Sequence, residues 1–342
     1  METLRLRLAA DSEPDIARDP ALLQAAEILR AGGLVAFPTE TVYGLGANAL
    51  DAAAVEKIFV AKQRPHWDPV IVHVADVAAA RALTTSWPDS AARLAEAFWP
   101  GPLTLLLPRS SAIPDLCTAG RANVGLRLPA HPVARALIAA AGVPVAAPSA
   151  NIFGHISPTT AEHVLADLDG RIDAVLDGGG CTVGVESTVL DPVSTPPLIY
   201  RPGGITAEQL KYVLGNVEMA LRTVSDEVPR EALESPGFGI RHYAPRARVV
   251  LVASEVELMQ VLKRETRHNT VGVLLPFEWR SPLVAVTVVR WGSWSEPQQL
   301  ARDLYAQLRA LDDQGVEVIV CSIPPAEGIG MAIRDRLRKA SQ

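Results

Sequence analysis

Cysteine is scarce in this 342-residue chain. Cys117, Cys181 and Cys321 are far apart and form no CxxC pair, which excludes a disulfide framework and a zinc ribbon. A basic excess is missing too. The 32 Lys and Arg stand against 38 Asp and Glu, a formal net charge of −6, so an indiscriminate binder of nucleic acid or anionic membrane is not expected, although a local basic cleft is compatible. No apolar run approaches the roughly 18 residues of a membrane span. The opening residues, METLRLRLAADSEPD, hold no apolar signal-peptide core and turn acidic at once, which disfavours export or organellar import. A protein of the reducing cytoplasm, without a membrane segment, is the expectation. The usual phosphate fingerprints are also lacking. There is no GxxxxGK[ST], and GFGIRH and GIGMAI each lack the third glycine of GxGxxG. If phosphates are bound, side-chain cations must do more of the holding.

What is present is ordinary globular material, 49% hydrophobic and 20% charged, in a length that suits two domains. Short apolar runs alternate with amphipathic helical spacing. Leu22, Ala25 and Leu29 share a helix face that stops at Gly32-Gly33, and LVAF then reads as a buried strand. Asp51 caps a second helix carrying Val55, Ile58 and Phe59. Strands are expected at 70–75, 103–108, 124–129, 143–148 and 187–192, with helices at 90–99, 131–141, 159–168 and 206–214. Runs this apolar suit a sheet covered by helices. After residue 215 the period fades into a linker of mixed charge. RVVLVA, TVGVLLP, LVAVTVV and VEVIVCSIP then alternate with helices at 255–266, 297–314 and 329–339, describing a small Rossmann-like α/β domain.

Polar residues interrupt the first domain where open α/β sheets place ligands, at strand ends. FPTETVYGLGA presents Thr39, Glu40, Thr41 and Tyr43 before Gly44 and Gly46, either as a strand-to-helix turn or as a loop whose hydroxyls and backbone N–H groups bind a ligand. KQRPHWDP sets Lys62, Arg64 and Asp68 on a proline-stiffened loop; helix-end cations and a polyphosphate grip both fit. His73 lies inside VIVHVA, a place more common for a hydrogen-bonded core histidine than for a catalytic one. Arg127, between Leu126 and Leu128, needs an anionic partner, and its planar fork suits a carboxylate. APSANIFGHISPTT adds Ser149, Asn151 and Ser157, DGGGCTVGVESTVLD adds Ser187, and YRPGG adds Arg201. One such cluster is weak evidence for anion binding, but five in one domain are harder to dismiss as turns.

Taken in order, FPTETVYGLGA, KQRP followed by DP, FWPGPLT, GLRLP, PSAN, ESTV and RPGG resemble the Sua5/YrdC family, threonylcarbamoyl-AMP synthases of tRNA modification. The ending EGIGMAIRDRLRKA resembles the long, two-domain form. The resemblance implies a YrdC-like twisted open sheet with flanking helices over residues 15–212, a linker over 213–247, and a smaller Rossmann-like α/β domain over 248–342. It implies synthesis of threonylcarbamoyladenylate from L-threonine, bicarbonate and ATP, with Mg²⁺ bridging the phosphates. A partner transferase would then act on tRNA. The family's threonine site falls on Thr39 or Thr41, His73, Arg127, Ala147 and Ser187. Its ATP site falls on Lys62, Arg64, Asp68, Ser149, Asn151, Ser157 and Arg201, with Lys62 and Arg64 in electrostatic roles and no covalent nucleophile. Asn123 stands where the family often has Thr or Ser; its amide can still donate to a phosphate or base.

The stretch ESPGFGIRHYAPRA packs Arg241, His242 and Tyr243 between two prolines, more chemistry than a tether needs. It resembles the linker of the long form, which folds over the cleft, so His242 or Tyr243 would reach bound nucleotide as a lid. A monomer without stable nucleic-acid binding is expected. An RNA-binding or ribosome-assembly module, and a carbamoyl transferase, are the alternatives; the second lacks the zinc-finger cysteines of related hydrogenase-maturation proteins.

Overall fold

The computed structural model describes residues 2–9, 13–220, 232–238 and 242–341. Two sheets organise them. The larger is an 11-stranded mixed sheet made of β1 (Leu4–Arg7), β2 (Val35–Phe37), β3 (Gly44–Asn48), β4 (Ile71–His73), β5 (Leu103–Pro108), β6 (Asn123–Arg127), β7 (Val145–Ala146), β8 (Ala174–Asp177), β9 (Thr188–Asp191), β10 (Leu198–Arg201) and β11 (Glu218–Met219). Their spatial order is β1-β8-β2-β3-β7-β4-β6-β5-β9-β10-β11. The helices between them are α1 (Glu13–Ile16), α2 (Pro20–Arg30), α3 (Ala52–Lys62), α4 (Val77–Ala82), α5 (Asp89–Phe98), α6 (Asp115–Thr118), α7 (Pro132–Ala141), α8 (Ala161–Leu168) and α9 (Ala207–Leu214).

Strand alternation explains why helices lie on both faces of this sheet. Val35, Phe37, Ala174 and Leu176 pack with Leu22 and Leu29 of α2 and Leu137 of α7. The intervening Ala36 and Val175 face the opposite way and pack with Val55 and Ile58 of α3 and Val164 of α8. Asp51 caps α3 as expected, accepting from Ala53 N at 2.9 Å. The cap of α8 is Thr160, which accepts from His163 N at 3.3 Å.

The smaller sheet is parallel throughout, with β12 (Arg248–Val252), β13 (Val271–Pro276), β14 (Thr287–Gly292) and β15 (Val318–Ser322) in the order β12-β15-β13-β14. One face packs on α10 (Glu255–Glu265) through Leu258 and Leu262. The other packs on α11 (Pro297–Asp313) and α12 (Gly330–Ala340). That second cluster continues into the first domain through Val42, Ile156 and Val185, with Tyr243 of the linker between them. The face carrying α11 and α12 is therefore the docking face.

Several features depart from the sequence reading: β8 and β10 were not expected, and β14 begins at Thr287, four residues into LVAVTVV. FPTETVYGLGA is a hairpin, and Gly44 and Gly46 lie on β3 instead of in a loop. A side chain at Gly46 would come within 2.8 Å of Phe37 and 2.9 Å of Val145, so the glycine serves close strand packing and not a turn. The sheet also extends beyond the expected 15–212. β1 pairs with β8 ahead of it, and β11 pairs with β10 after it.

Gly184 shows how tightly the domains meet. Its φ is +77°, and an added Cβ would lie 2.2 Å from Arg302 Cα on α11. Gly184→Ala is expected to loosen the docked second domain at a cost of about 1–3 kcal/mol from overpacking alone. The check is urea unfolding together with the solution radius; an unchanged midpoint and radius would contradict so close an approach.

Candidate active site

The strand ends place the functional side chains. β4 and β6 are parallel neighbours with His73 opposite Arg127, so the two lie side by side. Ala147 follows β7 and is tied to β4 by its N–H on Ile71 O, 2.9 Å. Ser187 immediately precedes β9, and Arg201 ends β10. Arg64 follows α3 after Gln63, whose left-handed φ of 53° turns the chain back. Together with Thr41, Ser149 and Glu186 these residues line a pocket whose wall also includes Pro236, His242 and Tyr243 of the linker.

Arg127 stands at one side of the pocket. Arg127 is buried, and its Nη2 lies 2.7 Å from Glu40 Oε1. The pair is misaligned for hydrogen bonding, so Nε and Nη2 keep their donor capacity. Glu40 supplies the anionic partner that a buried arginine requires. Sequence reasoning had assigned it no role. Beside it, His73 Nδ1 has no hydrogen-bond partner. Burial first, and the Arg127 charge second, push the imidazole down to about 3. The ring is neutral at physiological pH.

The other end gathers cations. Arg64 donates from Nε to Asp68 O at 3.0 Å and from Nη2 to Pro69 O at 2.6 Å, and it pairs with the Asp68 carboxylate at 2.9 Å. Arg201 donates to Ser187 O and Oγ, each at 3.1 Å. Ser187 Oγ in turn shares a 2.8 Å bond with Thr104 Oγ1. Burial holds the His242 imidazole well below its ordinary range, and Arg64, Lys62, Lys339 and Arg201 push the same way. Positive charge from both domains converges on that ring.

Six expected residues do not line the pocket. The Thr39 hydroxyl shares a bond with that of Thr41 at 2.8 Å and donates to Val42 O at 2.7 Å. Lys62 donates to the carbonyls of Ser149 and Asn151. Burial first, and Arg64 second, hold its ammonium well below the ordinary lysine range. It therefore shapes the loop carrying Ser149 and offers no free charge. Asn151 Nδ2 bonds Ile152 O and His155 O within that loop, at 2.7 and 2.9 Å. Ser157 donates to Glu186 at 2.6 Å, and Asp68 accepts from Gly237 N at 3.1 Å. Asn123 lines a neighbouring cavity that shares Ile71 and Pro236 with the pocket.

The linker is fastened on both sides. Leu233 N donates to Trp67 O at 2.9 Å and Arg121 pairs with Glu234 at 3.2 Å. Arg241 lies outside the described residues. His242 N donates to Lys339 O at 3.2 Å and Ala244 N to Gly154 O at 2.8 Å. Tyr243 has a left-handed φ of 64°, a strain that persists only where surroundings enforce it. They do so here: the Tyr305 ring stacks at 5.9 Å, and the Arg336 guanidinium stands 5.1 Å from the ring centre.

Glu186 was also missed by sequence reasoning. Its carboxylate accepts from Ser157 Oγ at 2.6 Å, Tyr305 Oη at 2.9 Å and Arg336 Nε at 2.6 Å. Burial alone would raise it, but Arg336 and Arg201 hold it below the usual carboxylate range. ESTV and RDRLRKA were both visible as motifs; nothing in a sequence joins residues so far apart. Among the described residues no group of three or more His, Cys, Asp or Glu is arranged to hold a metal ion.

The His73 shift carries a sign. The unfolded imidazole titrates near 6.5 and the folded one near 3. Between them the unfolded chain binds the extra proton, so the stabilisation is complete above the unfolded value and is lost as pH falls toward the folded one. From about pH 6 to 4, the wild type should lose stability more steeply than His73→Gln, by up to about 1.4 kcal/mol per pH unit in urea unfolding. Parallel curves would contradict a buried neutral ring.

Comparison with known proteins accounts for this arrangement. A family model described as telomere recombination, covering the Sua5, YciO and YrdC proteins, matches residues 27–203. A second, described as the threonylcarbamoyl-AMP synthase C-terminal domain, matches 205–342. The chain is 45% identical to a threonylcarbamoyl-AMP synthase of Bacillus subtilis over 94% of its length and 93% of the relative's. It is 41% identical to one of Pyrococcus abyssi over 93% of each. The crystal structure of P. abyssi Sua5 complexed with L-threonine superposes with a TM-score of 0.89 at 39% identity, covering 100% of this chain and 98% of that one. With both domains matched and the fold shared from end to end, the chain belongs to the Sua5/YrdC family, in its long, two-domain form.

Proposed function

We propose that this protein is an L-threonylcarbamoyladenylate synthase, joining L-threonine, bicarbonate and ATP with release of pyrophosphate for the threonylcarbamoyl modification of tRNA. The observation that carries the reading is one pocket lined together by Arg127 and His73, by Arg64 and Arg201, and by His242 and Tyr243 of the linker. The related chains bear that enzyme's name over nearly their whole length.

Each part of the pocket has a task in that reaction. Arg127 turns its unspent donors to the threonine carboxylate, with Glu40 holding the guanidinium in place. The threonine amine then lies near His73, whose neutral ring accepts a hydrogen bond from N–H. Amine and bicarbonate combine with loss of water to a carbamate. A carbamate oxygen attacks the α-phosphorus, the new P–O bond forms, and the bond to pyrophosphate breaks. Arg64 and Arg201 face the charge that gathers on the leaving group. No protein nucleophile is needed, and rate comes from positioning and from fixed charge.

Ser149 and the cavity at Asn123 give the rest of the nucleotide its room. His242 and Tyr243 cover the pocket and keep water from a labile mixed anhydride. Magnesium would arrive on the phosphates of ATP, since the described residues build no cage for it; no step is assigned to it. No described helix is long and apolar enough to cross a membrane. We place the reaction in the cytoplasm, in a monomer that passes its product to a separate transferase complex acting on tRNA and itself binds nucleic acid only weakly.

The test is pyrophosphate release from ATP by the full-length chain, with threonine and bicarbonate omitted in turn. Release should require both. In Arg127→Ala, half-saturation by threonine should move up roughly 10- to 100-fold, the weight of charged hydrogen bonds, with little change for ATP. Release indifferent to threonine would contradict the activity. An effect on ATP alone would contradict the clamp.

A further inference from the structure

The second domain reaches the pocket wall through the side chains of Arg336 and Tyr305, and Arg336 makes the wider set of contacts. Arg336, in the middle of α12, is 1% exposed. Its Nε donates to Glu186 Oε2 at 2.6 Å, and Nη1 donates to Pro202 O at 3.0 Å and Asp335 Oδ2 at 2.6 Å. Its guanidinium carbon stands 5.1 Å from the Tyr243 ring centre, and Nη2 is buried without a hydrogen-bond partner. One guanidinium thus contacts a carboxylate of the pocket wall, the backbone just after Arg201, and the underside of the lid. Lys339, one turn later, accepts the His242 N–H on its carbonyl and buries its ammonium against Asp335 at 3.0 Å. Tyr305 of α11 holds the same Glu186 from a second direction.

Stability alone does not account for such a cluster, because well-packed apolar side chains commonly serve a core as well as a buried ion pair does. What a planar fork adds is fixed direction. Glu186 is bonded to Ser157 on one side and adjoins Ser187 on the other, and Ser187 carries Arg201. The position of Arg336 is thereby transmitted to the cationic end of the pocket and to its cover together.

We propose that Arg336 is a positioning residue for adenylate formation, which makes closure by His242 and Tyr243 and the placement of Arg201 conditional on a docked second domain. The inference rests on the synthase reading and gives the C-terminal domain a part in it. Arg336 touches neither Arg127 nor His73, so the threonine end is not under its control.

The test compares full-length wild type with Arg336→Met, Arg336→Lys, Tyr305→Phe and the Lys/Phe double variant. Threonine-dependent pyrophosphate release and thermal unfolding are both followed. Arg336→Met should lower kcat by about 10- to 100-fold, with the threonine KM within about twofold. Arg336→Lys, keeping charge without the fork, should recover part of the loss at a near-wild-type unfolding midpoint. Tyr305→Phe should lose less, and the double variant should fall short of the product of the two effects, because both act through Glu186. If Arg336→Met does not fold, the lysine, phenylalanine and double variants decide. Wild-type kcat in Arg336→Lys and Tyr305→Phe would overturn the proposal. So would a kcat and threonine KM that worsen together with the unfolding midpoint, the mark of a brace alone. A wild type without threonine-dependent release would instead overturn the synthase reading beneath it.

Discussion

A buried arginine without an anion is costly, and much of the working part of this molecule is arranged by that cost. Arg127 is balanced by Glu40, Arg64 by Asp68 and Arg336 by Glu186. Each pairing also does something beyond neutralising charge. Glu40 holds Arg127 without using up its donors. Asp68 also takes the Gly237 N–H and so fastens the linker. Glu186 ties the pocket wall to the second domain. Arg201 differs, since its hydrogen bonds go to the neutral Ser187. Among the described residues it is the pocket arginine with no carboxylate in an ion pair with it.

The linker belongs to the same economy of charge and shape. Before the lid it is held by Trp67, Asp68 and Arg121 of the first domain; at the lid it is held by Lys339, Arg336 and Tyr305 of the second. The strained backbone of Tyr243 is the junction where the two sets of restraints meet. Its ring closes the pocket and at the same time belongs to the apolar cluster that docks the domains. Domain docking and pocket closure are therefore one packing event seen from two sides.

Much of this was legible from residues alone, and the exceptions have physical reasons. LTLLLP reads as a strand because a doubly covered sheet demands a continuous apolar run, and β5 spans just those residues. β3 was hidden because a glycine that makes room for Phe37 and Val145 looks the same in sequence as one that makes a turn. β1 and β11 are short edge strands, of four and two residues, without a pattern strong enough to announce them. Arg127 betrayed its need of a partner by sitting in an apolar strand, but the partner's identity came only with the fold. The direction of Lys62 was equally invisible: a lysine after a helix is read as charge on offer, and this one is consumed by two backbone carbonyls. Glu186 and Arg336, in different domains, illustrate the limit most clearly.

The central claim is that the two domains together close a pocket from which water is kept. It is tested most directly by counting intact adenylate formed per pyrophosphate released, in the wild type and in the His242→Ala, Tyr243→Ala double variant. The account predicts nearly one adenylate per pyrophosphate in the wild type and a clear deficit in the variant at unchanged fold, as the uncovered anhydride is lost to water. The same yield and rate in both proteins would contradict it.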